Sequence, residues 1–441
     1  MLDRVLRASL AILVVGAVGL VSLHAQAPAK QWKDRGEYDL FDSISKEQDL
    51  NKRLALLSSW KQKYPASDYS SERSQFLLDA YARLNQPDKV IETAGEALQA
   101  DGKNLQALAL AMVNVQRIAK PTPEQLAIGE QAANGLLTNA DALFAADKKP
   151  PAAKDEDWKK ARVDLETLAH TTLGWIGLTR KAFDEATEKH FAKSLELTPN
   201  NAQVSYWLGT VILGEKKAER QSEALFHFAR AASLPADQGG LAPAFLKTVD
   251  TYFTNAYNRF HGKDDAGLAE LRKTALATAM PPAGFKIEDV NEIAAKGDEE
   301  FKKKNPELAM WRTIKTELTG PNGDAYFGDK MKDAEIPMKF KGKLISTKPA
   351  LKPKELVVSV GDGSTPDATL KFDEALPGKA DPGIEIEFTG VAKEFAKEPF
   401  MLTFEVEKEK LGGWPVKETA PRPAPKKAPA KGAAAAKKKA A

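Results

Sequence analysis

The sequence predicts a mainly α-helical protein in which helical hairpins stack on one another, followed by a small β domain. Three observations predict this fold. Between Lys46 and Met280 the apolar residues recur at helical spacing, and Pro or Gly-Asn breaks the pattern into segments of roughly 12–18 residues. Small and large apolar positions then return at a period of about 34 residues. After Gly320 the apolar period changes from about 3.6 to about 2 residues, which marks a second domain.

The first 29 residues resemble an export signal. Arg4 and Arg7 precede an uninterrupted run of apolar or small residues that ends at Leu23, too short for a membrane span of about 20 residues. Ala25, Ala27 and Ala29 offer A-x-A cleavage sites. We interpret residues 1–29 as a signal peptide, and an uncleaved N-terminal anchor is the alternative. Either interpretation predicts an exported body, periplasmic or extracellular.

Composition excludes several kinds of site. The chain has no cysteine, which excludes disulfides, thiolate metal sites, cysteine nucleophiles and a lipid-modified N-terminal cysteine. The net charge of +3 conceals an asymmetry, since residues 415–441 hold eight Lys or Arg and one Glu. The remaining body is therefore mildly acidic.

The hairpins follow one after another along residues 30–320. The run from Arg53 to Trp60 carries its apolar positions on one stripe and ends at Tyr64-Pro65, because proline cannot extend a helix. A helix opening at Leu173-Gly174 and an Ala, Lys and Pro-rich insertion at residues 139–157 are also predicted. Three units carry the repeating pattern, with small residues where the helices of a hairpin approach each other: Leu77, Tyr81, Val90, Ala94 and Ala97; Leu173, Gly174, Phe191, Leu195 and Leu197; Trp207, Leu208, Gly209, Ala224, Phe228 and Ala231.

These units resemble the tetratricopeptide repeat (TPR) family over about half of the chain. The segment from Lys181 to Asn201 is close to the family pattern except for one extra residue between its helices, whereas residues 106–137 fit it loosely. A generic helical bundle is the alternative. The resemblance implies an α-solenoid that binds proteins or peptides mostly through the first helix of each hairpin. It makes the following residues candidates for the binding groove, each with inter-repeat packing as its other role: Gln75, Asp79, Arg83, Gln106, Val113, Arg117, Trp175, Tyr206 and Thr210.

Further helices precede the β domain. An aromatic-rich helix from Leu241 to Phe260 is typical of a terminal packing helix, and a helix at Pro306–Leu318 is expected to bury Trp311 and Ile314. For residues 321–414 we predict a five-stranded barrel that resembles an OB-fold, with a small sandwich as the alternative. The five strands are Ile336–Ile345, Glu355–Val360, Ala368–Phe372, Gly383–Phe388 and Met401–Val406.

The tail at residues 415–441 is rich in Pro, Ala and Lys and has almost nothing to bury, so we expect it to be disordered. It is either a solvated extension or an electrostatic contact with anionic envelope polymers or a membrane surface.

The sequence offers little chemistry for catalysis. Its five histidines match no metal motif, and His227 and His261 suit packing and helix capping respectively. The segment Gly361-Asp362-Gly363 lacks the lysine and the helix of a phosphate loop, so we interpret it as a turn. Outward glutamates on the last two strands would repel phosphate, which disfavours nucleic-acid binding. We therefore predict no enzyme activity, no metal and no cofactor.

The leading functional hypothesis is an extracytoplasmic scaffold that binds a protein or peptide of unknown identity through a groove on the helices. The alternative is an envelope-associated hydrolase or carbohydrate-binding protein whose site lies in or beside the β domain. Converging carboxylates in a deep pocket would favour this alternative.

Overall fold

The computed structural model describes residues 30–361 and 363–415, which form two compact units that divide between Val290 and Asn291. The predicted signal peptide, the tail beyond residue 415 and Asp362 lie outside the described residues.

Helices joined by short turns build the described part of the first unit, and helices that follow each other in the chain pack on one another. The predicted stacking of hairpins in sequence order is confirmed. The helices are α1 Arg35–Lys46, α2 Leu50–Lys63, α3 Ser70–Arg83, α4 Pro87–Ala100, α5 Leu105–Val115, α6 Pro123–Leu143, α7 Asp155–Thr179, α8 Glu185–Leu197, α9 Ala202–Gly214, α10 Gln221–Ser233, α11 Pro243–Phe260 and α12 Asp265–Ala277.

Turn chemistry repeats from one hairpin to the next. Asn85, Lys181 and Lys216 lie between the two helices of the α3/α4, α7/α8 and α9/α10 hairpins, and their φ angles are 55°, 59° and 58°. Side-chain caps open α5, α8 and α9. Asn201, for example, accepts a hydrogen bond from the backbone N–H of Val204 at 3.1 Å.

Glycines allow the paired helices to approach closely. A Cβ atom on Gly174 would lie 2.7 Å from the ring of Phe191, and one on Gly209 would lie 3.0 Å from the ring of Phe228. Both glycines therefore occupy the small positions that the repeat pattern predicts. The prediction that Leu173-Gly174 opens a helix is wrong, because α7 already begins at Asp155. The preceding helix α6 extends into the predicted insertion as far as Leu143.

The second unit contains helices and a sheet. Trp311 and Ile314 on the helix Pro306–Thr319 are buried as expected, in the same core as Phe340 and Phe404 of the strands. This shared core places the helix Pro306–Thr319 in the second unit, whereas the change of apolar period predicts a boundary at residue 320. The elements are α13 Val290–Lys304, α14 Pro306–Thr319, α15 Gly323–Tyr326, β1 Phe340–Lys348, β2 Glu355–Ser359, β3 Ala368–Lys371, β4 Glu385–Phe388, β5 Val391–Lys397, β6 Phe400–Glu405 and β7 Leu411–Gly412.

The described sheet has seven strands in the order β5-β6-β3-β2-β1-β4-β7, with β3 and β6 parallel. All five predicted strands are present. β4 pairs with β1 and β5 pairs with β6, and only Thr389 and Gly390 separate β4 from β5. Closure of the sheet into a barrel stays a prediction. The five-strand count omits β5 and the short β7. Strand β5 was not predicted because its Lys, Glu and Ala residues have low strand propensity.

Candidate protein-binding site

An apolar hollow of about 400 Å³ opens on the first helices of successive hairpins in the first unit. Residues of α7, α9 and α11 form its walls, together with the turns before α9 and α11 and the C-cap of α5. Lining residues are Gln116, Asp164, Thr167, Leu168, Thr171, Thr198, Asn200, Asn201, Gln203, Val204, Trp207, Gly239, Gly240, Leu241, Ala242 and Phe245.

Aromatic packing holds the walls of the hollow in place. The indole of Trp207 lies against Phe191, with ring centroids 5.7 Å apart. The ring of Phe245 meets that of Tyr206 edge to face, with centroids 5.4 Å apart. Both wall residues are half-buried, so part of each ring faces solvent in the hollow.

Several polar side chains of the lining already have partners. The hydroxyl groups of Thr167 and Thr198 lie 3.1 Å apart, and the hydroxyl of Thr171 lies 2.7 Å from that of Ser194. Gln116 donates from Nε2 to the hydroxyl of Thr172 at 2.9 Å. These groups fasten α7 to its neighbours and are engaged within the protein.

Gln203 and Trp207 differ from these residues. In the described part of the chain no group hydrogen-bonds the amide of Gln203 or the indole N–H of Trp207. The two side chains are four residues apart on α9 and therefore share one face of that helix. A ligand in the hollow would meet one amide and one N–H donor available for hydrogen bonding.

Charge is scarce in the hollow. Asp164 alone among its described lining residues carries a charge, and Lys160 lies 2.7 Å from its carboxylate. The lining is therefore suited to an uncharged ligand.

A buried arginine on α10 holds the turn that precedes α9. Arg230 donates from Nη2 to the carbonyl oxygen of Pro199 and to Oδ1 of Asn200, both at 3.1 Å. Its Nη1 donates to the carbonyl oxygens of Ala275 at 2.6 Å and Thr278 at 2.7 Å. Arg230 thus fixes the position of Asn200, a polar residue of the lining.

The nine groove residues predicted from the resemblance lie on first helices or at their ends, but none of them is among the described residues that line the hollow. On α3, Gln75 is half-buried and Arg83 is exposed. Asp79 lies between two cations, 3.3 Å from Arg53 and 3.5 Å from Arg83.

The predicted residues of α5 contact neighbouring protein groups. Val113 packs against the core, and Gln106 is half-buried in the first turn of α5. Arg117 follows the helix, is exposed and donates to Oδ1 of Asn85 at 2.5 Å. Gln116, the neighbour of Arg117, reaches the hollow instead.

Packing dominates at the remaining three predicted positions. Trp175 is partly buried between two apolar clusters, and Tyr206 contacts the rings of Phe228 and Phe245. The hydroxyl of Thr210 donates to the carbonyl oxygen of Tyr206 at 2.8 Å. Their role in ligand binding stays a prediction.

The lining residues of α7 were not predicted because they lie before Leu173, the predicted start of that helix. Thr167 and Thr171 interrupt an apolar run at a spacing of four residues, which was an available sign of a polar stripe on a buried helix. On α9 the same spacing joins Gln203 to Trp207. The turn at Gly239-Gly240 gave no such sign.

The histidines have structural surroundings. His227 is fully buried, and neither ring nitrogen has a hydrogen-bond partner among the described residues. His261 caps α11, and its Nδ1 lies 2.7 Å from the carbonyl oxygen of Glu288. The Nδ1 atoms of His170 and His190 lie 3.1 Å apart, a contact that the sequence did not predict, and burial lowers the pKa of both. Within the described residues no three His, Asp or Glu side chains group as metal ligands.

The sheet domain has a hollow of its own, of about 520 Å³, lined by several carboxylates. These groups are exposed, and three of them pair with lysines: Glu374 lies 2.5 Å from Lys408, Glu405 lies 3.0 Å from Lys393 and Glu407 lies 3.7 Å from Lys410. The hydrogen bond from Lys408 lowers the pKa of Glu374, whereas a general acid needs a raised pKa. The hollow resembles a solvated, ion-paired surface.

Among the described helices, none combines the length and the apolar character that crossing a membrane requires.

Comparison with known proteins gives matches among solved structures. The chain matches no family model and no curated protein. Among solved structures it is similar to the assembly chaperone of RpL4 (Acl4, residues 1–338), with a TM-score of 0.37 and 14% identity over 61% of this chain and 99% of the chaperone chain. A likeness of this strength decides nothing about function.

Proposed function

We propose that this chain is a non-catalytic scaffold that binds a protein partner through the hollow on α7, α9 and α11. The observation that carries the proposal is the hollow itself, a space of about 400 Å³ that consecutive first helices line mostly with apolar groups. Concave sites lined mostly by apolar and aromatic groups, with a few convergent polar groups, are the usual form of a binding site.

The chemistry of the lining supports a peptide rather than a sugar. A sugar presents hydroxyl groups on every side, and each would lose water on entering the hollow. Thr167, Thr171 and Gln116 are engaged with other protein groups, so few partners are left for those hydroxyls. An apolar side chain flanked by peptide groups needs only an apolar wall and one or two hydrogen bonds, and Trp207 and Gln203 supply both.

The proposal includes a place of action outside the cytoplasm. Its support is the sequence of residues 1–29, with two arginines followed by a short apolar run and small residues. Contact of the basic tail with anionic envelope polymers belongs to the same proposal. Cell fractionation of the full chain and of a chain that ends at Trp414 tests both statements. Recovery of the full chain in the cytoplasm contradicts export, and unchanged fractionation of the truncated chain contradicts the role of the tail.

Site-specific photo-crosslinking in cells tests the binding site. A photoreactive amino acid replaces Gln203, which is half-buried in the hollow, and a matched control places it at Lys189, which is exposed on α8. We expect crosslinked protein adducts at position 203 that are absent at position 189. Equal crosslinking at both positions, or none at position 203, would contradict the proposed site.

A further inference from the structure

We infer that the hollow accepts an uncharged, extended stretch from the interior of a partner chain, with an aromatic or aliphatic side chain in the hollow, and that it excludes a chain terminus. This inference rests on the proposed function and specifies the class of ligand. Its basis is the combination of scarce charge and two groups available for hydrogen bonding.

The exclusion of a terminus follows from charge. A C-terminal carboxylate, a phosphate or an acidic side chain would lose water in the hollow and would need a cation in return. The described lining contains no Lys or Arg, and its charged residue is Asp164. Arg230 lies behind Asn200, but its terminal nitrogens donate to carbonyl oxygens. An anionic group is therefore repelled.

A cationic ligand is disfavoured by the pairing of Asp164. Its carboxylate is 14% exposed and lies 2.7 Å from the ammonium of Lys160. An incoming lysine or arginine would have to displace Lys160 from an i,i+4 pair to gain a partner. The remaining acceptors are neutral oxygens, so the apolar wall selects a neutral side chain.

The extended conformation follows from Gln203. A primary amide donates and accepts at once, so it pairs with the N–H and C=O groups of a polypeptide backbone. An α-helix leaves such groups unpaired only at its two ends, whereas an extended segment presents them along its length. The indole N–H of Trp207, one helical turn away, supplies a second donor for the same segment.

Selection from two peptide libraries tests the inference with the full chain as bait. Both libraries display random peptides of the same length. In one library the peptide is fused to the display protein at both ends, and in the other its carboxyl terminus is free. The variants are Gln203→Lys, which places a cation in the hollow, and Lys189→Ala, a matched change on the exposed surface of α8.

We expect enrichment from the library fused at both ends of peptides with a central aromatic or aliphatic residue and neutral neighbours. Gln203→Lys should weaken the binding of these peptides about tenfold, because one hydrogen bond is left unmade in a desolvated site. The same variant should enrich peptides with a free carboxyl terminus. Lys189→Ala should change neither.

The selection distinguishes failure of the inference from failure of the proposed function. Enrichment restricted to free carboxyl termini or to strongly charged peptides, with sensitivity to Gln203→Lys, would overturn the inference and leave the hollow as a binding site. Enriched peptides that are insensitive to Gln203→Lys, or no enrichment at all, would overturn the proposed function together with the inference. Circular dichroism shows whether each variant retains its helical content.

Discussion

Removal of the Arg230 guanidinium tests how the hollow is held together. The side chain is 2% exposed, and the acceptors of its hydrogen bonds are oxygens of two separate segments. Nη1 donates to the carbonyl oxygens of Ala275 at 2.6 Å and Thr278 at 2.7 Å, at the end of α12, and Nη2 reaches Pro199 and Asn200 before α9. Arg230→Met keeps an unbranched apolar stem and removes every donor.

The expected magnitude follows from two opposing terms. A hydrogen bond to a charged group contributes about 1.5–3 kcal/mol, so the two shortest bonds alone amount to about 3–6 kcal/mol. The variant also removes a buried charge, and burial lowers the pKa of Arg230, which shows that desolvation opposes the charged form. We therefore expect the free energy of unfolding to fall by about 3 kcal/mol, within the range for a broken buried polar network.

Urea denaturation followed by circular dichroism measures this change, and hydrogen exchange locates it. Arg230→Met should accelerate exchange at the end of α12 and in the turn at Thr198–Asn201. Lys247→Met, on the exposed surface of α11, serves as control and should change stability by less than about 0.5 kcal/mol. If Arg230→Met unfolds at the same urea concentration as the control and leaves exchange in both segments unchanged, the reasoning is refuted.

Two further predictions concern a buried histidine and a buried carboxylate. Burial and the charge of Arg230 lower the pKa of His227 from 6.5 to about 3. The neutral form of His227 therefore stabilises the fold above pH 6.5. This stability is lost as the pH falls from 6.5 toward 3, by up to about 1.4 kcal/mol per pH unit. His227→Leu should raise stability at neutral pH and flatten this dependence in urea titrations; an unchanged slope would contradict it. Asp367 accepts hydrogen bonds from Trp311 Nε1 at 2.9 Å and from two backbone N–H groups at 2.7 and 3.0 Å. Asp367→Ala should destabilise the second unit by about 3 kcal/mol and speed hydrogen exchange there, whereas unaltered exchange in residues 306–415 would rule the role out.

The hairpins could be predicted from the sequence because their signals are local. Spacing places apolar residues on one face of each helix, and residues such as Pro65 and Asn201 mark the ends. Gly209 could be identified as a close-approach position from its place in the repeat, and the structure puts the ring of Phe228 against it. The strands were predictable for the same reason wherever apolar and charged residues alternate.

The boundary between the units was not predictable from such signals. The helix that carries Trp311 has the same amphipathic pattern as the helices of the first unit, and only its partners differ. Packing against Phe340 and Phe404 assigns it to the sheet domain. Strand β5 likewise owes its conformation to pairing with β6, which overrides the weak strand propensity of its residues.

By itself, the sequence determined the type and order of most elements and the absence of cysteine chemistry. Only the tertiary structure decided which residues meet in the hollow. Gln116, Thr171, Gln203 and Phe245 lie far apart in the chain and converge because α7 begins at Asp155 and because Arg230 fixes the turn before α9. Helical periodicity gives the face of each helix, but packing between helices sets the register at which those faces meet.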